Sequence, residues 1–257
     1  MDEQLANHYA HRADSYDTTW GHRPDYLDWM EHRIHRRLAL RPGLRIADIG
    51  AGTGLFLRRL MRHASQDTPV VCADPSPAML GRLPSDPRLL PVRATAEELA
   101  TGTVGLPWPA LDGIVIKEAV HHFSALDRTL AGLARLLVPG GRIVVVTLPP
   151  KTGYPLFAAA RDRFAARQPE PAQIAGALEQ AGLRTVLETD AYPVRIDREE
   201  WLKLVAGRWM SVLSSFPDGE LDAGLREIAE RYPAGELAFD DRFAFITGER
   251  PAGQDRG

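Results

Sequence analysis

The chain holds a single cysteine, Cys72, in 257 residues. A disulfide framework is therefore excluded, and the apolar run VVCAD around Cys72 marks a buried, inert thiol rather than a nucleophile. No uninterrupted apolar stretch approaches the length of a membrane span. The opening residues MDEQLANHYA carry two early acids and no apolar segment that would direct export, so a cytoplasmic location without a membrane partner is expected. Charge of one sign is also missing: 31 basic and 34 acidic residues are mixed along the chain, for a formal net charge of −3. That balance disfavours a general polyanion binder, and no nucleic-acid partner is expected. Internal repeats and low-complexity segments are absent, and the one tail that reads as loose is GERPAGQDRG. No His, Cys or carboxylate spacing suggests a metal.

What is present is a composition of 44% hydrophobic and 25% charged residues, which suits one α/β unit large enough to bury a substantial core. Short apolar runs alternate with longer segments of helical period, the pattern of a mostly parallel sheet covered on both faces. LRIADIG, VVCAD, LDGIVIK and GRIVVVTL read as strands. GLFLRRLMRH, SPAMLGRL and SALDRTLAGLARLL place their apolar residues three and four apart, as helices packed on a sheet do. Before Ile46 the chain is rich in His, Arg, Tyr and Trp and holds no strand, so it reads as helical. In it, Arg33, Arg36 and Arg37 read as a solvated face.

After Leu148 the pattern predicts a helix from Pro171 to Gly182, a strand in LRTVLETDAY, two helices around EEWLKLVAGRWMSVL and ELDAGLREIAERY, and a last strand RFAFITG. The helical pair interrupts what would otherwise be a hairpin and reads as a lid over the sheet's carboxyl edge. The expected organisation is an N-terminal helical lid over residues 1–40 and a core over residues 41–257. That core is a doubly wound, Rossmann-like, mostly parallel seven-stranded sheet, with the insertion 197–234 as a helical cap.

The stretch IADIGAGTG, Ile46 to Gly54, carries the strongest chemical signal. A strand that ends in Gly-x-Gly-x-Gly and turns into a helix lets backbone pass close to a ligand, because no Cβ blocks Gly50, Gly52 or Gly54. Twenty residues past Gly54, Asp74 closes the next strand, where a carboxylate can accept both hydroxyls of a ribose. A dinucleotide fingerprint needs a third glycine where Leu55 stands, and Asp48 would place negative charge beside a pyrophosphate. A cationic, phosphate-free nucleoside fits better. S-adenosylmethionine, with a sulfonium and an ammonium group, suits an acid at Asp48.

On these residues the chain resembles the class I S-adenosylmethionine-dependent methyltransferases. The family's glycine-rich first motif appears as IADIGAGTG, its ribose motif as VVCADPSPAML and its adenine-side motif as RATAEEL. The fourth strand resembles LDGIVIKEAVHHF, and the turn into strand five is LLVPGGRIVVV. The match covers roughly Leu44 to Leu148. The resemblance implies S-adenosylmethionine as cofactor. Asp48, Gly50 and Gly52 would lie at its methionine end, with Ala51 and Gly54 also binding the cofactor, Asp74 at the ribose, and Pro75, Ser76 and Met79 along the adenine. Where relatives often show an acid facing the adenine amino group, this chain has Thr95, followed by Ala96 and Glu97. Lys117 and Glu118 would lie beneath the sulfonium. Tyr16 resembles a tyrosine that closes over the methionine, and it reads equally as a helix-packing aromatic.

The resemblance implies methyl transfer to an acceptor that the motifs do not name. In-line displacement needs alignment, exclusion of water and, for a protonated nucleophile, a base. His121 and His122, just past the carboxyl end of strand four, are the candidates, because an imidazole titrates near neutrality. The plainer reading is that one contacts the cofactor or a loop and the other faces solvent. Trp20, His22, Tyr26, Trp201 and Trp209 could wall a pocket for a bulky, aromatic or secondary-metabolite acceptor, or be core. The expected partner is a small-molecule acceptor, bound by a monomer or homodimer. The alternative is a chain that binds the cofactor without transferring its methyl.

Overall fold

The computed structural model describes Gly21 and residues 23–252. Seven strands form one sheet: β1 (Ile46–Ile49), β2 (Val70–Asp74), β3 (Leu89–Arg93), β4 (Leu111–Lys117), β5 (Leu137–Thr147), β6 (Arg184–Asp197) and β7 (Glu236–Glu249). Their order is β3-β2-β1-β4-β5-β7-β6. The first five run parallel, with Asp48 beside Cys72 on one side and Val115 on the other. β7 runs antiparallel to both β5 and β6.

The helices are α1 (Pro24–Leu38), α2 (Leu57–Leu60), α3 (Pro77–Leu80), α4 (Ala96–Thr101), α5 (Leu126–Arg135), α6 (Ala158–Ala165), α7 (Pro171–Gln180), α8 (Arg198–Ala206) and α9 (Asp218–Arg231). The central strands are apolar at consecutive positions because each side chain in turn meets a different helical layer. Ile46, Val115, Val144 and Val146 pack with Met30 and Ile34 of α1 and Leu57 and Leu60 of α2. Ala47, Ile114, Ile116, Ile143 and Val145 point the other way, into Leu99 of α4, Leu130 and Leu133 of α5 and Leu178 of α7. The doubly wound, mostly parallel arrangement anticipated from the alternation is thus the observed one.

Several boundaries differ from the pattern reading. β3 is absent from that reading because it contains Pro91, which cannot donate to a ladder. It is tolerated here because β3 is the sheet's edge. The helix after the glycine loop shrinks to the four residues of α2 and a 3₁₀ turn over Met61–His63. α6, also absent from the reading, buries only Ala160 and Phe164, so its sequence carries little periodicity. β6 and β7 pair along 14 residues each, from Arg184 opposite Glu249 to Asp197 opposite Glu236.

Arg37 is not part of a solvated face. It is 6% exposed, ion-pairs with Glu188 and Asp190 at 2.9 and 3.1 Å, and lies 4.2 Å from the Phe245 ring centroid. It fastens α1 to β6 and β7. Among the described residues no helix is long and apolar enough to cross a membrane.

The contact between α4 and α5 leaves no room at Gly132, where an added Cβ would come within 2.4 Å of the Ala100 Cβ and 2.5 Å of its carbonyl oxygen. Gly132→Ala is expected to destabilise the chain by about 1–3 kcal/mol through overpacking, read as a lower urea midpoint. An unchanged midpoint would mean that the two helices can part without cost.

Candidate functional site

The order in which the chain lays down its parallel strands reverses between β1 and β4, and the crevice beyond their carboxyl ends is where such sheets take ligands. A cavity of about 570 Å³ opens there. Its floor is the turn after β1. The Gly50 and Ala51 N–H groups both donate to the Ala73 carbonyl, at 2.8 and 3.0 Å, which folds the turn against the end of β2. Gly50 has φ +80°, and a Cβ there would stand 2.4 Å from the Ala119 Cβ, so the turn can approach β4 only without a side chain. Gly52 has φ +57°, and a Cβ there would meet nothing within 4 Å. Its face is open to the cavity.

Asp74 ties the next loop to this one. Its Oδ2 accepts from the Gly52 N–H at 3.0 Å and its Oδ1 from the Ser76 N–H at 2.8 Å. Burial raises its pKa, and those two hydrogen bonds oppose the rise. The Ser76 hydroxyl in turn accepts from the Met79 N–H at 3.4 Å and caps α3. Thr95 and Glu98 form a capping box that starts α4, so the Thr95 hydroxyl is held by the helix start although the residue lines the cavity. The Glu97 carboxylate accepts from the N–H and hydroxyl of Ser124 at 2.8 and 3.1 Å, which latches the segment after β4 to α4.

Two acids in the cavity wall are strongly perturbed. Asp48 is 4% exposed, and no described residue donates a hydrogen bond to its carboxylate. Desolvation pushes it up to about 7, against the attraction of Lys117 and with the repulsion of Asp74. Glu118 also rises to about 7 through desolvation, opposed by Lys117 and by the Leu148 N–H, which donates to its Oε1 at 2.8 Å. The backbone of Glu118 lies in the left-handed region at φ +54°, a strain typical of residues held for a purpose at a site. Behind this wall, Asp241 is 2% exposed and accepts from the Tyr154 hydroxyl at 2.5 Å, and burial together with the Asp241 charge holds the Tyr26 phenol well above its ordinary pKa.

Burial and the neighbouring His122 push His121 down to about 3. Its Nδ1 is enclosed without a hydrogen-bond partner, and the two imidazole centroids lie 4.0 Å apart. His121 is thus a neutral ring at pH 7, while His122 is exposed.

The cavity brings together Tyr26, Asp48, Gly50, Ala51, Gly52, Asp74, Pro75, Ser76, Met79, Thr95, Ala96, Glu97, Lys117, Glu118, His121 and His122. Gly54 does not line it. A Cβ there would strike Leu83 at 2.5 Å, so that glycine serves packing rather than a ligand. Trp201 and Trp209 do not wall the cavity either, and their assignment to a pocket is corrected. Trp201 is fully buried, donates from Nε1 to the Pro155 carbonyl at 2.9 Å, and stacks edge-on with Trp209 and Phe239. The insertion 197–234 follows the carboxyl end of β6 but gives the cavity no lining residue, because this aromatic cluster draws it onto α6 and β6. Tyr16, Trp20 and His22 lie outside the described residues.

Sequence reasoning missed Leu27 and Met30 of α1, and Phe56 and Phe123, which supply apolar wall. The signal for Leu27 and Met30 was the helical stripe that includes Tyr26, which reads as core because most of it is core. Among the described residues no cluster of His, Cys, Asp and Glu is placed to hold a metal.

Comparison with known proteins gives a consistent picture. A family model described as a methyltransferase domain matches residues 47–143. A demethylmenaquinone methyltransferase from Thermus thermophilus is 34% identical over 128 residues, 48% of this chain and 56% of that protein. The ubiquinone/menaquinone biosynthesis C-methyltransferase UbiE of Escherichia coli is 27% identical over 151 residues, 56% of this chain and 60% of that protein. The chain therefore spans somewhat more than half the length of these curated relatives. Among solved structures, a protein from Anabaena variabilis assigned as a methyltransferase of an antibiotic biosynthesis pathway superposes with a TM-score of 0.65 at 20% identity. The superposition covers 86% of this chain and 96% of that one, and it shows a shared fold.

The state of Asp48 can be read from stability. It titrates at about 7 in the folded chain against an ordinary 3.8, so between those pH values the folded chain keeps a proton that the unfolded chain has lost. The Asp48 contribution therefore falls as pH rises through that window. Asp48→Asn, which has no such proton, should gain stability relative to the parent chain as pH rises from about 4 to about 7 in urea titrations. A pH-independent difference would show that the carboxyl ionises normally.

Proposed function

This chain belongs to the class I S-adenosylmethionine-dependent methyltransferases, and from that premise we propose that it transfers a methyl group to a small-molecule acceptor, with Glu118 taking the acceptor's proton. The observation that carries the reading is the meeting of Asp48, Gly52 and Asp74 in one cavity at the switch point between β1 and β4.

The cofactor is S-adenosylmethionine, and the residues present fit it. The open face over Gly52 admits a ligand against backbone. The Asp74 carboxylate, fixed by two backbone N–H groups, still has lone pairs for ribose hydroxyls. Asp48, a desolvated carboxylate to which no described residue donates, suits an ammonium group, which would return its pKa toward the ordinary range. Pro75, Met79 and Ala96 offer an apolar slot for a flat base. When bound, the cofactor supplies an electrophilic methyl group on a sulfonium.

The protein's own part is to align, to exclude water and to move a proton. Met30, Phe56 and Phe123 keep the wall apolar. Glu118 lies at the carboxyl end of β4, is held through Oε1 by the Leu148 N–H, and titrates near 7, where a general base is most effective at neutral pH. His121, with its pKa near 3, is a weaker base and serves better as a neutral contact. A bulky or aromatic acceptor is supported by the apolar wall, and a small-molecule acceptor by what the two curated relatives are named for.

The direct experiment mixes the protein with methyl-labelled S-adenosylmethionine and a metabolite extract of its source cells. Label is expected in a small molecule with release of S-adenosylhomocysteine. Label on protein or RNA, or cofactor returned unchanged, would overturn the reading. Turnover should rise as pH increases through about 7, where Glu118 loses its proton. In Glu118→Gln it should drop about a hundredfold, with cofactor affinity kept and the pH step gone. A variant that retains the step would exclude Glu118 as the base.

A further inference from the structure

The sheet ends at β6, and among the described residues no strand pairs with its outer side. A free edge carries a row of unpaired N–H and C=O groups, and proteins usually blunt it. The second half of β6 is blunted: Pro193 lacks a donor, and Val194 and Ile196 are buried. The first half, Arg184–Asp190, is open. Among the described residues, Val186 and Leu187 are the large apolar side chains left exposed, at 57% and 43%. Side chains alternate along the strand, so Arg184, Val186, Glu188 and Asp190 share one face and Thr185, Leu187 and Thr189 the other. On the first face Arg37 of α1 holds Glu188 and Asp190 in place, while the Arg184 side chain is 71% exposed despite its ion pair with Glu249.

We propose that this edge pairs with the same edge of a second copy of the chain, antiparallel and centred on Leu187, joining two sheets into one. The inference goes beyond the methyltransferase reading and does not depend on it. A twofold axis normal to the sheet brings like faces together, so each side chain meets one from its own face. With Leu187 on the axis, Leu187 meets Leu187, Thr185 meets Thr189, Val186 meets the aliphatic stem of Glu188, and Arg184 meets Asp190. Apolar, hydroxyl and opposite-charge pairs of this sort stabilise an antiparallel ladder. Neighbouring registers fit less well. An axis at Glu188 sets that acid against itself, one at Thr189 sets it against Asp190, and those further on bring Pro193 into the ladder. An axis at Val186 keeps the charges complementary but shortens the paired stretch from Arg184–Asp190 to Arg184–Glu188, because the strand begins at Arg184. A second copy thus carries the complement of this edge in its own sequence, which an arbitrary strand does not. β5 and β7 separate β4 from the edge, so the cavity stays open in both copies.

The test is sedimentation velocity of the full chain over a range of concentrations. One short ladder buries less than a standard interface, so the parent should be monomeric at about 1 μM and substantially dimeric at about 100 μM. Leu187→Lys sets two ammonium groups on the axis, and Arg184→Glu sets an acid against Asp190. Each should weaken association at least about tenfold while keeping the circular dichroism of the parent. The register is read by cross-linking. Cys72 is buried and is the one cysteine of the chain, so Leu187→Cys or Thr185→Cys introduces the accessible thiol. A short bismaleimide should link Leu187→Cys into dimers and leave Thr185→Cys largely monomeric, because the two copies of position 187 meet and those of position 185 lie on opposite sides of the axis. A parent that stays monomeric at every concentration, association that survives Leu187→Lys, or equal cross-linking of the two cysteine variants would overturn the proposal.

Discussion

Two backbone N–H groups, those of Gly52 and Ser76, converge on the carboxylate of Asp74, and the geometry of the cavity follows from that convergence. The turn after β1 and the loop after β2 belong to separate strands. Without a shared acceptor, their donors would face an apolar crevice unpaired, at a cost of about 1–3 kcal/mol each. By accepting both, one side chain sets the spacing between the glycine turn and the start of α3. Asp74 is therefore held in a fixed rotamer before any ligand arrives, and preorganisation of this kind lowers the cost of binding.

The second organising feature is a local excess of buried acid. Asp48 and Glu118 share the attraction of Lys117, and desolvation rather than a hydrogen bond sets the behaviour of both. Such an arrangement is unfavourable in the empty protein and becomes favourable when a cation enters, which links the strain to function. The left-handed backbone at Glu118 belongs to the same account. It is maintained by the Glu118 N–H donating to the Val146 carbonyl at 2.8 Å and by the carboxylate's own bond to Leu148.

Away from the cavity, polar and aromatic groups that look functional turn out to hold elements together. Arg37 pins α1 to β6 and β7 through two carboxylates and an aromatic face. Arg208 donates to the carbonyls of Leu213 and Phe216 and pairs with Asp218, closing the link between α8 and α9. Trp201, Trp209 and Phe239 fasten the insertion to the body. An arginine or tryptophan signals a desolvated anchor, and whether that anchor serves a ligand or a neighbouring helix depends on what lies opposite.

The local backbone chemistry was legible in the sequence. The run IADIGAGTG dictated a strand and a turn of positive φ, the spacing to Asp74 dictated a carboxylate at the end of the neighbouring strand, and the alternation of apolar runs dictated a sheet with two covered faces, because each depends on residues adjacent in the chain. What faces what was decided only by tertiary structure. β3 needed the sheet edge to tolerate Pro91. Gly54 was turned to packing by Leu83, which lies 29 residues on. Trp201 was drawn into the core by Pro155, and Arg37 was drawn out of a solvated face by Glu188 and Asp190, more than 150 residues away. Burial and pairing of this kind arise from long-range proximity, and no short-range pattern encodes them.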